Sequence, residues 1–160
     1  MKKIGLYELS VIAFFLIIPI VGIIIEFFVL KSNLKTGDLM LKWFVFSGVG
    51  LRLFTAGLKQ AGNPIFTAKE ISKLNDDSSF PIVREIGLAN ISFGAIGLLS
   101  FFLPEFRLAA ATSGGLYFGL AGFAHLFRNE KSKKEQFAMI SDLSIFVVLM
   151  ILIFISRAYV

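Results

Sequence analysis

The chain contains no cysteine, so neither a disulfide nor thiol chemistry is available to it. It has a single histidine, His125, which excludes a multi-histidine metal site within one chain. No phosphate-binding glycine loop, metal-ligand set or nucleophile–base pair occurs at a readable spacing, and no cofactor is expected. Acidic residues are the scarcer charge, 11 against 16 basic ones, for a net charge of +5. A basic excess can signal nucleic acid. Here the basic residues flank apolar segments, so orientation in a membrane explains them better and no nucleic-acid partner is expected.

Apolar surface is what the chain has in excess. Hydrophobic residues make up 56% of its 160 residues, with 19 Phe, and the mean hydropathy is +0.81. A soluble domain of this length cannot hide so much apolar surface, whereas lipid can solvate it. Five apolar runs, Glu8–Leu30, Leu39–Leu58, Pro81–Leu103, Phe106–Phe127 and Phe137–Ser156, each reach the roughly 20 residues that a span needs. Backbone groups in hydrocarbon must pair within their own segment, so the runs read as helices. The expected fold is all-α, a polytopic five-transmembrane-helix bundle forming one membrane domain over residues 1–160. The first run follows Lys2 and Lys3 as a signal peptide would. It is too long for an h-region, Glu8 breaks its start and no small-residue cleavage site follows, so it reads as a retained helix.

Five spans put the N-terminus, the second loop and the fourth loop on one side. That side carries ten basic residues: Lys2, Lys3, Lys59, Lys69, Lys73, Arg84, Arg128, Lys131, Lys133 and Lys134. The other side carries five, Lys31, Lys35, Lys42, Arg107 and Arg157, and Arg52 lies within a span. The positive-inside rule then places the N-terminus in the cytoplasm and the C-terminus outside, across the inner (plasma) membrane of the cell.

Loop chemistry refines the helix ends. Thr36, Gly37 and Asp38 offer capping side chains for the second span, and Leu103-Pro104-Glu105 reads as a tight turn between the third and fourth. Ser132 and Glu135 match a capping box, as do Thr67 and Glu70. With Ile65, Phe66, Ile71 and Leu74 around it, the second box predicts a short helix on the inner membrane surface. Asp76, Asp77 and Ser78 end that helix, and Ser79 is placed to cap the third span, with Pro81 in its first turn.

Ionisable residues at mid-membrane cost about 2.5–3.5 kcal/mol on insertion scales, so each needs a reason. Arg52, Glu85, Asn90, His125 and Asp142 all fall in the cytoplasmic halves of spans two to five. Together they make a candidate ligand-binding pocket. The plain alternative is an ion-pair and hydrogen-bond network that locks the helices, with Arg52 against Asp142 or Glu85. Glu26 lies toward the outer end and reads as a carboxylate snorkelling to the surface. Gly87, Asn90, Gly94 and Gly97 share one helix face, and Ala111, Gly115, Gly119 and Gly122 share another. The tight Pro104 turn predicts that these two small-residue faces meet, with Asn90 on the seam near His125. Phe14-Phe15, Phe27-Phe28 and Phe101-Phe102 read as lipid-facing.

The stretches Gly57-Leu-Lys-Gln60, Asn63-Pro64, Thr67-Ala-Lys-Glu-Ile71, Arg84-Glu-Ile-Gly-Leu-Ala-Asn90 with Gly94 and Gly97, and Gly122-Phe-Ala-His125 resemble an uncharacterised family of small bacterial integral membrane proteins. The resemblance covers spans two to four and implies a multi-helix membrane fold without an activity. A looser likeness to DoxX-like proteins, which are four-helix bundles, is an analogy of fold alone, and the fifth span departs from it. Three functions stay open. The first is binding or transport of a small, partly apolar molecule through the polar pocket. The second is a membrane enzyme on a lipid or quinone-like substrate, with His125, Glu85 or Asp142 as acid or base. The third is an accessory subunit whose small-residue faces engage a second copy or another membrane protein. A channel is least favoured, because no span carries a polar stripe through its full length.

Overall fold

The computed structural model describes residues 5–74, 76–129 and 131–158; Lys2, Lys3 and Val160 lie outside them. Five long helices carry the chain: α1 Leu6–Val29, α2 Thr36–Gly62, α3 Phe80–Leu99, α4 Glu105–Leu126 and α5 Lys133–Ala158. Two short pieces lie between α2 and α3, a π-helical turn Phe66–Ile71 and a 3-10 turn Asp77–Ser79. No strand forms among the described residues. Four segments among them are long and apolar enough to cross a membrane: Leu6–Val29, Thr36–Gly62, Asp77–Leu99 and Lys133–Arg157. The expectation of five is met in helices, not in qualifying spans. α4 has 22 residues, but glycines, Arg107, Thr112, Ser113, Tyr117 and His125 dilute its apolar content.

α2 is the hub and contacts all four other helices. Over its central stretch 56% of residues are buried, against at most 33% in the other three qualifying spans. Leu41, Phe44, Val45, Val49 and Leu53 of α2 meet Ala110, Ala111 and Phe118 of α4 and Ile145, Leu149 and Leu152 of α5 in one core. This explains how a helix carrying Lys42 and Arg52 can exist among apolar neighbours: its surroundings are protein.

Neither α1 nor α2 is a uniform α-helix. α1 widens into π-helix at Ala13–Ile17 and Ile25–Val29, and α2 does so at Val45–Leu51. A π turn bonds each N–H to the carbonyl five residues back, so it holds one extra residue and re-aims the helical turns beyond it. Arg52 is the first residue after the α2 π segment. Within that segment the Ser47 hydroxyl donates to the Phe14 carbonyl at 2.6 Å, tying it to the first π segment of α1.

The two small-residue faces do not meet each other, contrary to the sequence reading. The face on α3 lies against α2. A Cβ on Gly94 would overlap the Phe54 backbone nitrogen, and one on Gly97 would stand 2.6 Å from that of Gly50. One on Gly87 would stand 2.6 Å from the Ala61 nitrogen. The face on α4 lies against α5 side chains instead, with Gly115, Gly119 and Gly122 beneath Met150, Phe146 and Leu143. The Pro104 turn joins α3 to α4 as expected, but a short turn fixes only adjacency at one end. α2 and α5 offered the closer-fitting surfaces.

Several caps also differ. α2 starts at Thr36 with no side-chain cap, because Asp38 is taken by the Ser156 hydroxyl of α5. The turn at Phe66–Ile71 has no side-chain cap from Thr67. Asn63 instead accepts the Ile65 N–H at 3.3 Å. Asp76, not Ser79, is the capping residue ahead of α3: its Oδ1 accepts the Ser78 N–H at 3.0 Å. Half of the Ser132 box forms, with Ser132 Oγ accepting the Glu135 N–H at 3.0 Å. Phe28 and Phe102 are exposed as expected of lipid-facing rings. Phe101 turns inward against Trp43 and Phe46, with ring centroids 5.1 and 4.6 Å away.

Candidate functional site

At the end of the bundle that carries the α2–α3 and α4–α5 connections, all five helices surround a cavity of about 590 Å³. Arg52, Asn90, His125 and Asp142 line it. The structure therefore brings together four of the five residues that the sequence nominated. Glu85 is not among the lining residues and is exposed on α3. It is five residues from Asn90, a spacing that turns it to the opposite side of the helix.

Arg52 is the anchor. Its Nη2 donates to Asp142 Oδ1 at 2.5 Å and to Ser141 Oγ at 2.8 Å. Its guanidinium lies over the Phe118 ring, 4.6 Å from the centroid. Both members of the pair are buried, and Arg52 Nη1 has no hydrogen-bond partner. The expected pairing is thus made with Asp142 rather than Glu85. Asn90, 3% exposed, donates from Nδ2 to Gln60 Oε1 at 2.7 Å and leaves Oδ1 without a hydrogen bond. It sits within reach of the Tyr117 phenol. Tyr7, Ser10, Lys59, Gln60 and Tyr117 add to the polar wall, and Phe14, Leu53, Phe66, Ile86 and Phe118 contribute apolar surface.

His125 reaches the same cavity from the last turn of α4. Its Nδ1 lies 2.9 Å from Glu135 Oε1, and Arg128 Nη1 lies 3.0 Å from the same oxygen. Glu135 is fully buried, and its Oε2 has no hydrogen-bond partner. The sequence reading missed Glu135 because its capping-box match had already given it a role. An acidic residue one helical turn into a span, opposite the only histidine, was the signal available.

The α2–α3 connection closes over this end. Phe66 lines the cavity, 5.8 Å from the Tyr7 ring, and lies beneath the ammonium groups of Lys59 and Lys134 at 3.8 and 4.9 Å. Lys134 also bonds Glu70 at 2.7 Å, and that hydrogen bond and charge hold the Glu70 carboxyl below the usual carboxylate range. Ser132 Oγ donates to the Glu70 carbonyl at 3.1 Å, and Arg128 to the Ser72 carbonyl at 3.0 Å. The two connections are therefore stitched together across the mouth.

The far end holds a separate polar group. Glu26 is buried rather than snorkelling: it accepts from Lys42 at 2.8 and 2.9 Å, from Trp43 Nε1 at 2.8 Å and from Ser32 Oγ at 3.3 Å. Gly22, one turn before Glu26, leaves the space that the Trp43 ring occupies. A second cavity of about 620 Å³ at this end is lined by seven residues, Lys35, Thr36, Gly37, Asp38, Met40, Ile155 and Ser156. It is lined by far fewer polar and charged side chains than the first, so the chemistry concentrates in the smaller cavity. No group of three metal-binding side chains occurs among the described residues.

Comparison with known proteins gave no matching curated protein and no matching solved structure. A family model does match, and it covers residues 9–160, which include every residue of the cavity wall from Ser10 of α1 to Asp142 of α5. The chain belongs to a family of unknown function, DUF6790.

Proposed function

We propose that this is an integral membrane protein of five spans that binds a small, partly apolar molecule in the cavity between its helices. The observation that carries the reading is the cavity wall. Arg52, Asn90, His125 and Asp142, with Tyr7, Lys59, Gln60 and Tyr117, share one space with aromatic and aliphatic side chains. Ligand sites have this composition: mostly apolar, with a few placed polar groups.

α4 is the fifth span. Its 22 residues extend about 33 Å at the helical rise. Its lower apolar content fits its place, since Arg107, Ala110, Ala111, Gly114, Gly115 and Phe118 are buried against protein. The cavity end faces the cytoplasm in this reading, with the Phe66–Ile71 turn at the membrane surface. Two of the five basic residues assigned to the opposite side, Lys42 and Arg107, are drawn into the bundle. The positive charge flanking the spans is then even more one-sided.

Extraction in mild detergent followed by mass spectrometry of retained small molecules tests the function. The wild-type protein is expected to retain a compound that Asn90→Leu loses while remaining folded. Leu suits a membrane helix, and membrane hydrogen bonds average about 0.6 kcal/mol. Equal retention by both proteins, with only a lower melting temperature in the variant, would leave the polar cluster as a structural network.

A further inference from the structure

The cavity lies in a fork of the bundle. From Arg52 to Gly62, α2 packs closely on α3 alone. Residues of α1, α4 and α5 stand across the space, and the Arg52–Asp142 pair bridges the two sides. The open side of α2 carries Thr55 and Lys59, one helical turn apart, both exposed and both on the cavity wall.

The charges on that wall do not balance. Its lining residues include two fixed cations, Arg52 and Lys59, and one carboxylate, Asp142. Asp142 belongs to Arg52, at 2.5 Å. Glu135 is outside the lining and already faces His125 and Arg128. Among the described residues no carboxylate comes within 4.0 Å of the Lys59 ammonium. Its neighbour is the Phe66 ring, 3.8 Å to the centroid, and Lys134 approaches the same ring at 4.9 Å. Two ammonium groups thus converge on one ring, and the carboxylate beside them, Glu70, is bonded to Lys134. A cation bound here would add to the excess, and a neutral head would leave it unchanged. An anion takes a charge-assisted hydrogen bond from an ammonium that no carboxylate occupies. Behind Lys59 the wall turns apolar. Leu53 lies about 9 Å further in along α2. Phe14, whose carbonyl meets Ser47, and Phe118, whose ring lies under Arg52, line that inner end.

We infer that the ligand is an amphiphile with one negative charge, as a carboxylate or a phosphodiester carries, on an apolar body about 9 Å long. Lys59 receives the charge at the mouth, and the body lies inward among Phe14, Leu53 and Phe118. This inference rests on the proposal that the cavity is a binding site, and the test separates the two.

Three probes of equal body are compared at pH 7 by equilibrium dialysis against the protein in phosphatidylcholine nanodiscs, with empty nanodiscs correcting for partition into lipid. They are 2-naphthoate, 2-naphthamide and 2-naphthylmethylammonium. The naphthoate is expected to bind at least tenfold more tightly than the amide or the ammonium. Lys59→Gln is expected to weaken the naphthoate about tenfold and to leave the amide unchanged, while Lys59→Arg keeps the preference. Lys59 is exposed, so neither change threatens the fold. Equal binding of the three probes would keep the cavity as a binding site and overturn the anionic head, as would tightest binding of the ammonium. A preference for naphthoate that survives Lys59→Gln would overturn the role of Lys59. Binding of none above the empty nanodiscs would overturn the site itself. Nanodiscs containing phosphatidylglycerol identify the source of the anion. Displacement of the naphthoate there supports the headgroup of a membrane lipid, and undiminished binding supports a free amphiphile; each keeps the negative charge at Lys59.

Discussion

Two buried ion pairs hold Lys42 and Arg52 of α2, and each can be taken apart separately. Asp142→Ala leaves Arg52 buried with Ser141 as its remaining partner. Removing one member of a buried pair costs about 3–5 kcal/mol, most of it the stranded charge. Replacing both, as Arg52→Met with Asp142→Leu, is expected to recover most of that loss. Unfolding in detergent, followed by circular dichroism, reads both variants. If the double variant is as unstable as the single one, the stranded guanidinium is not the cause. That Arg52 would find a carboxylate was legible from depth alone, since few acidic residues share its level. Its choice of Asp142 over Glu85 was not, because helix rotation decides it and neither helix carries a clean apolar stripe. Glu26 was misread for a related reason. Its partners, Lys42 and Trp43, lie 16 and 17 residues on, across a turn whose geometry the sequence leaves open.

At the scale of the helix, the α2–α3 seam depends on missing side chains. Gly94→Ala would drive a methyl into the Phe54 backbone of α2, and a backbone cannot rotate out of the way. Parting the helices is expected to cost about 1–3 kcal/mol, the usual range for overpacking. Gly62, at the end of α2, has nothing within 4 Å of a Cβ position. Gly62→Ala is expected to stabilise by up to about 1 kcal/mol through helix propensity. Melting temperatures that move in opposite directions check the pair. Helix positions were legible to within a few residues, because apolar length sets them. The π segments were not, since they arise from contacts such as Ser47 with Phe14, which unite residues 33 positions apart. Cap chemistry was legible as a set of residues and misassigned in detail: Asp38 and Glu135 match capping patterns but serve neighbouring helices.

For the molecule as a whole, the testable quantity is its orientation. In the proposed five-span arrangement the termini lie on opposite sides, with the N-terminus inside. A phosphatase reporter, active only outside the cytoplasm, is expected to work when fused after Val160. A fusion after Lys73, in the α2–α3 connection, is expected to be silent. The reverse pattern at Val160 alone would reduce the span count to four and return α4 to the role of a buried, non-spanning helix. The cavity was legible as a level in the bundle and as four of its residues. Its shape was not, because it depends on Tyr7 of α1 and Phe66 of the loop, which look like ordinary aromatic residues in an apolar chain.

The separation of the Arg52–Asp142 pair by 90 positions has a consequence in time. Lys42 acquires Glu26 almost as soon as it is made, since the carboxylate precedes it by 16 residues. Arg52 must wait for the last helix. At about 5–20 residues per second, the ribosome needs roughly 5–18 s to add those 90 residues. Throughout that interval the hub helix is anchored at one end and carries an unanswered positive charge at the other. The newborn chain therefore cannot complete this pair before α5 is made, and any product that stops short of α5 keeps an unanswered charge on its hub helix.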